Sequence, residues 1–231
     1  MMTAMSRPGE DSELLAAWRT GDRDAGAALF ERHYEAIARF FRNKVNGTSQ
    51  DDLVQQTFLR CAERAAGFRG ASSFRTFLFG IAHNVLREYL RKVGRQRERD
   101  AGELDLDALS VTALGQQGPG PAMSATGVIA SKQEQRLLLE GLRTIALHHQ
   151  VALELHYWEQ LSVKEIAEIT GKPVNTIKTR LRDGRIKLAR KLSELAESEE
   201  LLRSTLDDLE GWAARMRGEA FAEAERDGEE E

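Results

Sequence analysis

The side chains best placed to do chemistry in this sequence are cations at helical spacing. From Lys172 to Lys191 eight basic side chains stand against one acidic, a balance of +7. Lys178, Arg180, Arg182, Arg185, Lys187 and Arg190 alternate with Val174, Ile177, Leu181, Leu188 and Leu192, so a helix here has one apolar face and an otherwise cationic surface. The preceding residues, LSVKEIAEITGKP, concentrate helix-boundary signals. Ser162 and Glu165 have capping-box spacing, and Leu161 and Ile166 have that of a hydrophobic staple. Gly171 can end a short helix, and Pro173 can stand at the start of the next. Helix, glycine turn and basic helix together form the arrangement that lays a second helix in the DNA major groove. Ile166 and Ile169 would brace it, while Asn175, Thr176, Lys178 and Thr179 would reach base edges. Arg180, Arg185, Lys187 and Arg190 would meet phosphates, which fix register without reading sequence. The plain alternative is a helical hairpin with a solvated charged face; the coincidence of caps, turn and basic stripe favours DNA.

A second basic block runs from Arg60 to Arg99, with ten basic and three acidic side chains, again +7. Inside it, Phe68-Arg69-Gly70-Ala71-Ser72-Ser73-Phe74-Arg75-Thr76-Phe77 mixes aromatics, small polar residues and arginines around a loop entering a helix. Such a mixture suits unstacked single-stranded bases, with arginines on phosphates and pockets for splayed bases. Phe74 and Phe77 stand at helical spacing, which weighs towards the core for that pair. Asn84 follows on the same helix, where it can hydrogen-bond a base edge or face water.

Other chemistry finds little support. His148, His149 and His156 do not match tetrahedral ligand spacing, and adjacent histidines point apart on a helix. His33 and His83 lie in apolar helical contexts and read as packing residues. The single cysteine, Cys61, can build neither a disulfide framework nor a thiolate metal site. No phosphate-cradling glycine loop and no nucleophile with its base stand out, so neither catalysis nor a cofactor or small-molecule substrate is expected.

These residues must be positioned by helices. The chain has 231 residues, 41% hydrophobic and 30% charged, which suits one large or two small globular domains. Only four prolines occur, and no alternation of period two is evident, so an all-α fold is expected. Ser12 to Val45 reads as two helices broken near Gly21-Asp22, with Asp22 or Asp24 as a cap and Phe30, His33, Ile37 and Phe41 on one face. Ser49-Gln50-Asp51-Asp52 has the spacing of a capping box for a third helix, carrying Val54, Phe58, Cys61 and Ala65. A fourth runs from Ser72 to about Val93, with Phe74, Leu78, Ile81 and Val85 inward. Helical periodicity returns at Lys132 through Leu138, Leu142 and Ile145, then Val151 to Trp158.

Between these blocks, Gly94 to about Ser131 is rich in glycine and acids and reads as a flexible acidic linker. The tail from Glu194 to Glu231 holds fourteen acidic against four basic side chains, −10 in all. Within it Leu201, Leu202, Leu206, Leu209, Trp212 and Met216 suggest an amphipathic helix, either a solvated tail or an element that masks a basic surface. The net charge of −4 thus averages two basic blocks with acidic segments, a pattern that suits a polyanion touched at two places. No apolar run approaches the roughly 18–20 residues of a membrane span, and the opening MMTAMSRPGEDSELL has no apolar stretch, so a cytoplasmic place without membrane insertion is expected. The expected organisation is a helical domain over 10–95, a linker over 96–131, a helix-turn-helix domain over 132–193 and an acidic helical extension over 194–231.

Two strings carry a resemblance to a known family. DDLVQQTFLRCAERAAGFRGASSFRTFLFGIAHNVLREYLRK, residues 51–92, resembles the promoter-melting domain of bacterial RNA polymerase sigma factors. LSVKEIAEITGKPVNTIKTRLRDGRIKLARKL, residues 161–192, resembles their −35 reading helix-turn-helix. The spacing resembles the extracytoplasmic-function subfamily (group IV of the sigma-70 family), over roughly residues 12–193. The resemblance implies polymerase docking through Asp51, Asp52, Leu53, Gln55, Gln56 and Phe58, on the clamp helices of the largest catalytic subunit. For the −10 element it implies Phe68, Arg69, Ser72, Ser73 and Asn84 at a flipped base, with Arg75, Arg87, Arg91 and Lys92 on the melted strand. For the −35 element it implies Lys178, Thr179 and Arg182. The acidic linker matches the segment that threads towards the RNA path, and an anti-sigma factor would be a further partner.

Two features depart from the family's pattern. Relatives commonly carry arginine where this chain has Asp183, and a carboxylate can accept from cytosine N4 but cannot donate to guanine. The acidic tail is also longer than usual. Two further readings stay open on the residues: a helix-turn-helix regulator that binds duplex DNA without polymerase, and an interaction protein that has lost DNA contact.

Overall fold

The computed structural model describes residues 8–45, 47–65, 67–68, 70, 72–97, 108–113 and 129–196. Among them the first block is four helices: α1 (Pro8–Arg19), α2 (Arg23–Arg42), α3 (Gly47–Ala65) and α4 (Phe74–Arg97). The second block is α5 (Ile129–Thr144), α6 (Leu147–Leu153), a π-helical turn (Glu154–Trp158), α7 (Val163–Thr170) and α8 (Val174–Leu195). The described residues are helical apart from turns and one isolated bridge, Ser110 to Ala146.

Local sequence accounts for most helix ends. Asp22 caps α2, its Oδ1 accepting from the backbone N–H of Asp24 and Ala25 at 3.0 and 3.1 Å. Ser73 caps α4, its hydroxyl accepting from the Thr76 N–H at 3.0 Å. The expected capping box at Ser49 does not form. Helix α3 starts earlier, at Gly47, so Ser49 lies inside the first turn and its hydroxyl accepts from Tyr89 of α4 at 3.1 Å. A tertiary partner has displaced the local cap.

The first block packs α1 on α2, and α3 on both α2 and α4. Its inward face holds Leu29, Ile37, Phe41, Val54, Cys61, Leu78, Val85 and Leu90, all buried. His33 is also buried, and its Nε2 lies 2.9 Å from Asp11. Burial pushes the Cys61 thiol up to about 12, so no thiolate is available there. In the second block α8 is central, contacted by α5, α6 and α7. Leu142, Leu153, Ile166, Ile177, Leu181, Leu188 and Leu192 fill the space between them.

The joint between the blocks is tighter than the sequence suggests. Within the segment expected to be a flexible linker, residues 108–113 are anchored: Val111 is buried, and the Leu109 carbonyl accepts from the Leu147 N–H at 2.8 Å. The Thr112 N–H donates to the Arg143 carbonyl at 3.2 Å. One buried valine and two backbone bonds thus fasten this segment onto α5 and α6. The extension beyond Ala196, with its expected amphipathic helix, lies outside the described residues. Most notably, α4 of the first block packs directly on α7 of the second, and the buried apolar residues of both blocks form one continuous cluster.

Candidate nucleic-acid interface

The helix-turn-helix forms as its sequence predicts. Ser162 caps α7 by accepting from the Glu165 N–H at 3.3 Å, while Glu165 accepts from the Ser162 N–H at 2.8 Å. Leu161 and Ile166 are both buried, as a staple requires. Gly171 ends α7 at φ +63°, in the left-handed region that glycine enters without a Cβ penalty. Pro173 then precedes the first turn of α8. Ile166 and Ile169 are buried against α8, which fixes the angle at which that helix is presented.

On α8, Asn175, Lys178, Thr179, Arg182, Arg185, Lys187 and Arg190 are exposed, Thr176 and Arg180 partly so. Several cations already have intramolecular partners. Arg185 Nη1 donates to the Tyr157 hydroxyl at 3.0 Å, and Arg182 Nε donates to Asp183 Oδ1 at 2.9 Å. Lys187 Nζ lies 3.0 Å from His149 Nε2, and His149 Nδ1 lies 3.0 Å from the Arg180 carbonyl. A carbonyl only accepts and an ammonium only donates, so His149 must be neutral, with its proton on Nδ1. Burial lowers its pKa to about 4, in keeping with that tautomer. No group of three or more His, Cys, Asp or Glu side chains is disposed to hold a metal among the described residues.

The −10 candidates separate in space. Asn84, Arg87 and Arg91 fall at i, i+3 and i+7 on one side of α4, and Asn84, Arg91 and Lys92 are exposed. Phe68 is elsewhere: it is buried, its ring centroid 4.6 Å from that of Phe77. Phe74 is buried as well. The expectation that Phe68 is offered to a base therefore does not match this packing, because the core takes the ring. Ser72 is half-buried, Ser73 is the cap of α4, and Arg69 lies outside the described residues. Arg75 turns away from solvent, its Nη1 and Nη2 donating to the carbonyl and carboxylate of Glu159 at 2.6 and 2.7 Å.

The docking candidates on α3 also divide. Asp51, Asp52, Gln55 and Gln56 are exposed, whereas Leu53 and Phe58 face the core. Leu59 was not singled out from the sequence, yet it is 59% exposed and shares the face of Gln55 and Gln56. Its signal was available, since it falls outside the inward series Val54, Phe58, Cys61 and Ala65. Tyr34 of α2 is a further exposed large side chain, its ring stacked parallel to that of Phe58 at 6.2 Å.

The sequence reading missed a polar network between the blocks. Arg39 of α2 grips Glu159 in a bidentate pair, Nε to Oε1 at 2.8 Å and Nη2 to Oε2 at 3.2 Å. Lys44, fully buried, pairs with Glu154 and also donates to the Phe40 carbonyl at 2.6 Å. Burial pushes the Lys44 ammonium below its usual range, an effect the Glu154 carboxylate opposes. Asn43 donates to Glu154 at 3.4 Å and to the Leu139 carbonyl at 3.3 Å, while Gln150 donates to Glu154 at 2.9 Å. Thr76 of α4 donates to Glu165 of α7 at 3.2 Å. Burial opposes ionisation of Glu165, but hydrogen bonds from Ser162 and Thr76 together with nearby Arg75 hold its carboxyl below the usual range.

Comparison with known proteins agrees with this geometry. Residues 29–96 match the model for sigma-70 region 2, and residues 137–188 match that for sigma-70 region 4. The chain is 28% identical over 180 residues to the RNA polymerase sigma factor YlaC of Bacillus subtilis, covering 78% of this chain and 98% of that protein. It is 26% identical over 186 residues to the ECF RNA polymerase sigma-E factor of Haemophilus influenzae, covering 80% and 96%. Among solved structures, CnrH in complex with the cytosolic domain of CnrY is similar at a TM-score of 0.57 and 21% identity, covering 81% of this chain and 99% of that one. The sigma factor RpoE of Bartonella quintana, in complex with the anti-sigma factor NepR, is similar at 0.55 and 21%, covering 74% and 97%. With both regions matched in order on an all-helical fold, the chain belongs to the sigma-70 family, of the extracytoplasmic-function type, a family of transcription initiation factors rather than enzymes.

Proposed function

We propose that this chain is the promoter-specificity subunit of a bacterial RNA polymerase. It docks on the core enzyme through the exposed face of α3, with Asp51, Asp52, Gln55 and Gln56 around Leu59. It holds the melted −10 strand along the Asn84, Arg87, Arg91 and Lys92 side of α4, and it reads the −35 duplex with the first turns of α8.

The observation that carries this reading is the exposed cationic face of α8, presented from a helix-turn-helix whose first helix carries a complete capping box and ends at Gly171. Asn175, Lys178 and Thr179 stand at its N-terminal end, where a recognition helix meets base edges. The face of α3 argues against a regulator that works without polymerase, since such a protein has no use for an exposed leucine among glutamines there. An anti-sigma factor is the further partner, in line with the neighbour solved with one.

Reconstitution with bacterial core RNA polymerase tests the proposal. Co-elution, and transcripts whose start sites share upstream elements, are the expected result. Duplex binding without polymerase association would move the protein to the plain regulator class.

A further inference from the structure

Helix α8 keeps one large apolar side chain in the open. Ile186 is 64% exposed, more than any other large apolar residue among those described. It stands four positions from both Arg182 and Arg190, on a strip of the helix that Thr179, Ala189 and Ser193 complete. An isoleucine offers a phosphate nothing to bond. Ile186 also lies about 18 Å along α8 from Val174, whereas a recognition helix meets base edges with its N-terminal turns. Small residues around one isoleucine, rimmed by cations, form a seat for an apolar helix that carries negative charge.

The chain that follows α8 has the matching chemistry. Helix α8 holds seven cations against two acids, Asp183 and Glu194, while the tail from Glu194 onward carries −10. The first acid of that tail already turns back: Glu194 accepts from Lys191 Nζ at 2.6 Å and lies 3.3 Å from Arg190 Nε. At Ala196 the backbone leaves the helix for an extended conformation, φ −69° and ψ 130°, its N–H still donating to the Leu192 carbonyl at 2.8 Å. Helix α8 therefore stops there, and the chain changes direction. Further on, Leu202, Leu206, Leu209 and Met216 fall at i, i+4, i+7 and i+14 with Trp212 beside them, the pattern of one apolar helical stripe. Residues 197–200 supply a connection of ordinary length for two antiparallel helices. A helix running back from Leu201 along α8 brings Leu209 level with Ile186, each about 12–14 Å from the turn.

We propose that residues 201–216 fold back as a helix on the exposed face of α8, with Leu209 and Trp212 covering Ile186 and the acids of the tail beside its cations. The short tether sets an effective concentration on the order of millimolar, so even a weak contact is populated. Arg182 and Arg190 are then screened from a duplex, and the tail competes with DNA for α8. That competition, unlike the contact itself, rests on the proposed reading of α8 as a DNA-binding helix.

Tryptophan fluorescence in the full chain tests the contact. The emission of Trp212 is isolated as the difference between wild type and Trp212→Phe, with Trp18 and Trp158 common to both. It should be blue-shifted and shielded from acrylamide. Ile186→Ser, at an exposed position, should move it to the red and raise its quenching towards that of the urea-unfolded chain. A mixed-sequence duplex at low salt should do the same to wild type. Leu206→Ser with Leu209→Ser should raise affinity for that duplex by about tenfold, as expected when about a tenth of wild-type molecules present an open face. Circular dichroism melts confirm that each variant is folded.

Trp212 freely quenched in wild type would overturn the contact, as would shielding that is indifferent to Ile186→Ser, which places the tail elsewhere. Shielding lost on dilution would overturn it by putting the tail on a second copy. Duplex affinity that falls in Ile186→Ser while Trp212 does not move would also overturn it, giving the isoleucine to a thymine methyl. Trp212 shielded, and released by Ile186→Ser, in a chain that binds no duplex would support the contact and overturn the DNA reading of α8 instead.

Discussion

Asp183 restrains its neighbour Arg182 on the outer face of α8, its Oδ1 accepting from the Arg182 Nε at 2.9 Å. The resemblance gives relatives an arginine at this position; here the carboxylate removes one cation from the face and orients another. Replacing Asp183 with Asn should raise affinity for any duplex, because the local potential becomes more positive. It should also narrow the ratio between promoter and scrambled duplex, because Arg182 is no longer aimed. Stability should change by no more than about 0.5 kcal/mol, as for other exposed positions. Affinities on the two duplexes at a fixed salt concentration check this, and an unchanged ratio would show that the pair does not orient Arg182.

Leu59 offers a direct test of docking. It is exposed, so Leu59→Asp should leave the melting temperature nearly unchanged. Core polymerase binding should fall by about tenfold or more if the side chain enters an apolar contact that an acid cannot make, a loss worth about 1.4 kcal/mol. Co-elution at equal concentration reads the result, and retention equal to wild type would remove Leu59 from the docking face.

His149 predicts a pH dependence. Its folded pKa, about 4, lies below the 6.5 of a free imidazole, chiefly through burial. The unfolded chain therefore binds the proton more readily than the folded one. The stabilising contribution is fully present above pH 6.5 and is lost progressively as pH falls towards 4. A His149→Gln variant should show a flatter decline of its urea midpoint between pH 7 and pH 5 than wild type. The imidazole resonance should titrate near pH 4 by NMR; a midpoint at 6.5 would contradict the neutral tautomer.

Two helical glycines should respond in opposite directions to alanine. At Gly141 a Cβ would meet Leu192 Cδ2 at 2.8 Å and Leu188 Cδ1 at 3.1 Å, where α5 crosses α8 closely. Gly141→Ala should destabilise by about 1–3 kcal/mol through overpacking, partly offset by helix propensity. At Gly80 of α4 nothing lies within 4 Å of a Cβ. Gly80→Ala should stabilise by up to about 1 kcal/mol. Thermal melts of the two variants provide the comparison.

The helix-turn-helix was almost fully legible because each of its signals acts over a few residues. Ser162 caps Glu165 three positions on, and Gly171 ends α7 by its own conformational freedom. Ser49 shows the limit of such reasoning: the capping spacing was present, but Tyr89, forty positions away, took the hydroxyl. Phe68 shows it again, since a loop aromatic beside arginines has one local pattern whether it faces a base or, as here, Phe77.

What the sequence determined by itself was the set of helices, the caps of α2 and α7 and the cationic face of α8, because helical periodicity and these caps are set by neighbours within about four residues. Tertiary structure alone decided that the two blocks close on each other. Arg39 and Glu159 are 120 residues apart, and Lys44 and Glu154 are 110 apart. A glutamate in an amphipathic helix has the same local pattern whether it faces water or a buried cation. Which it meets depends on the faces that pack together, and that is a property of the assembled core.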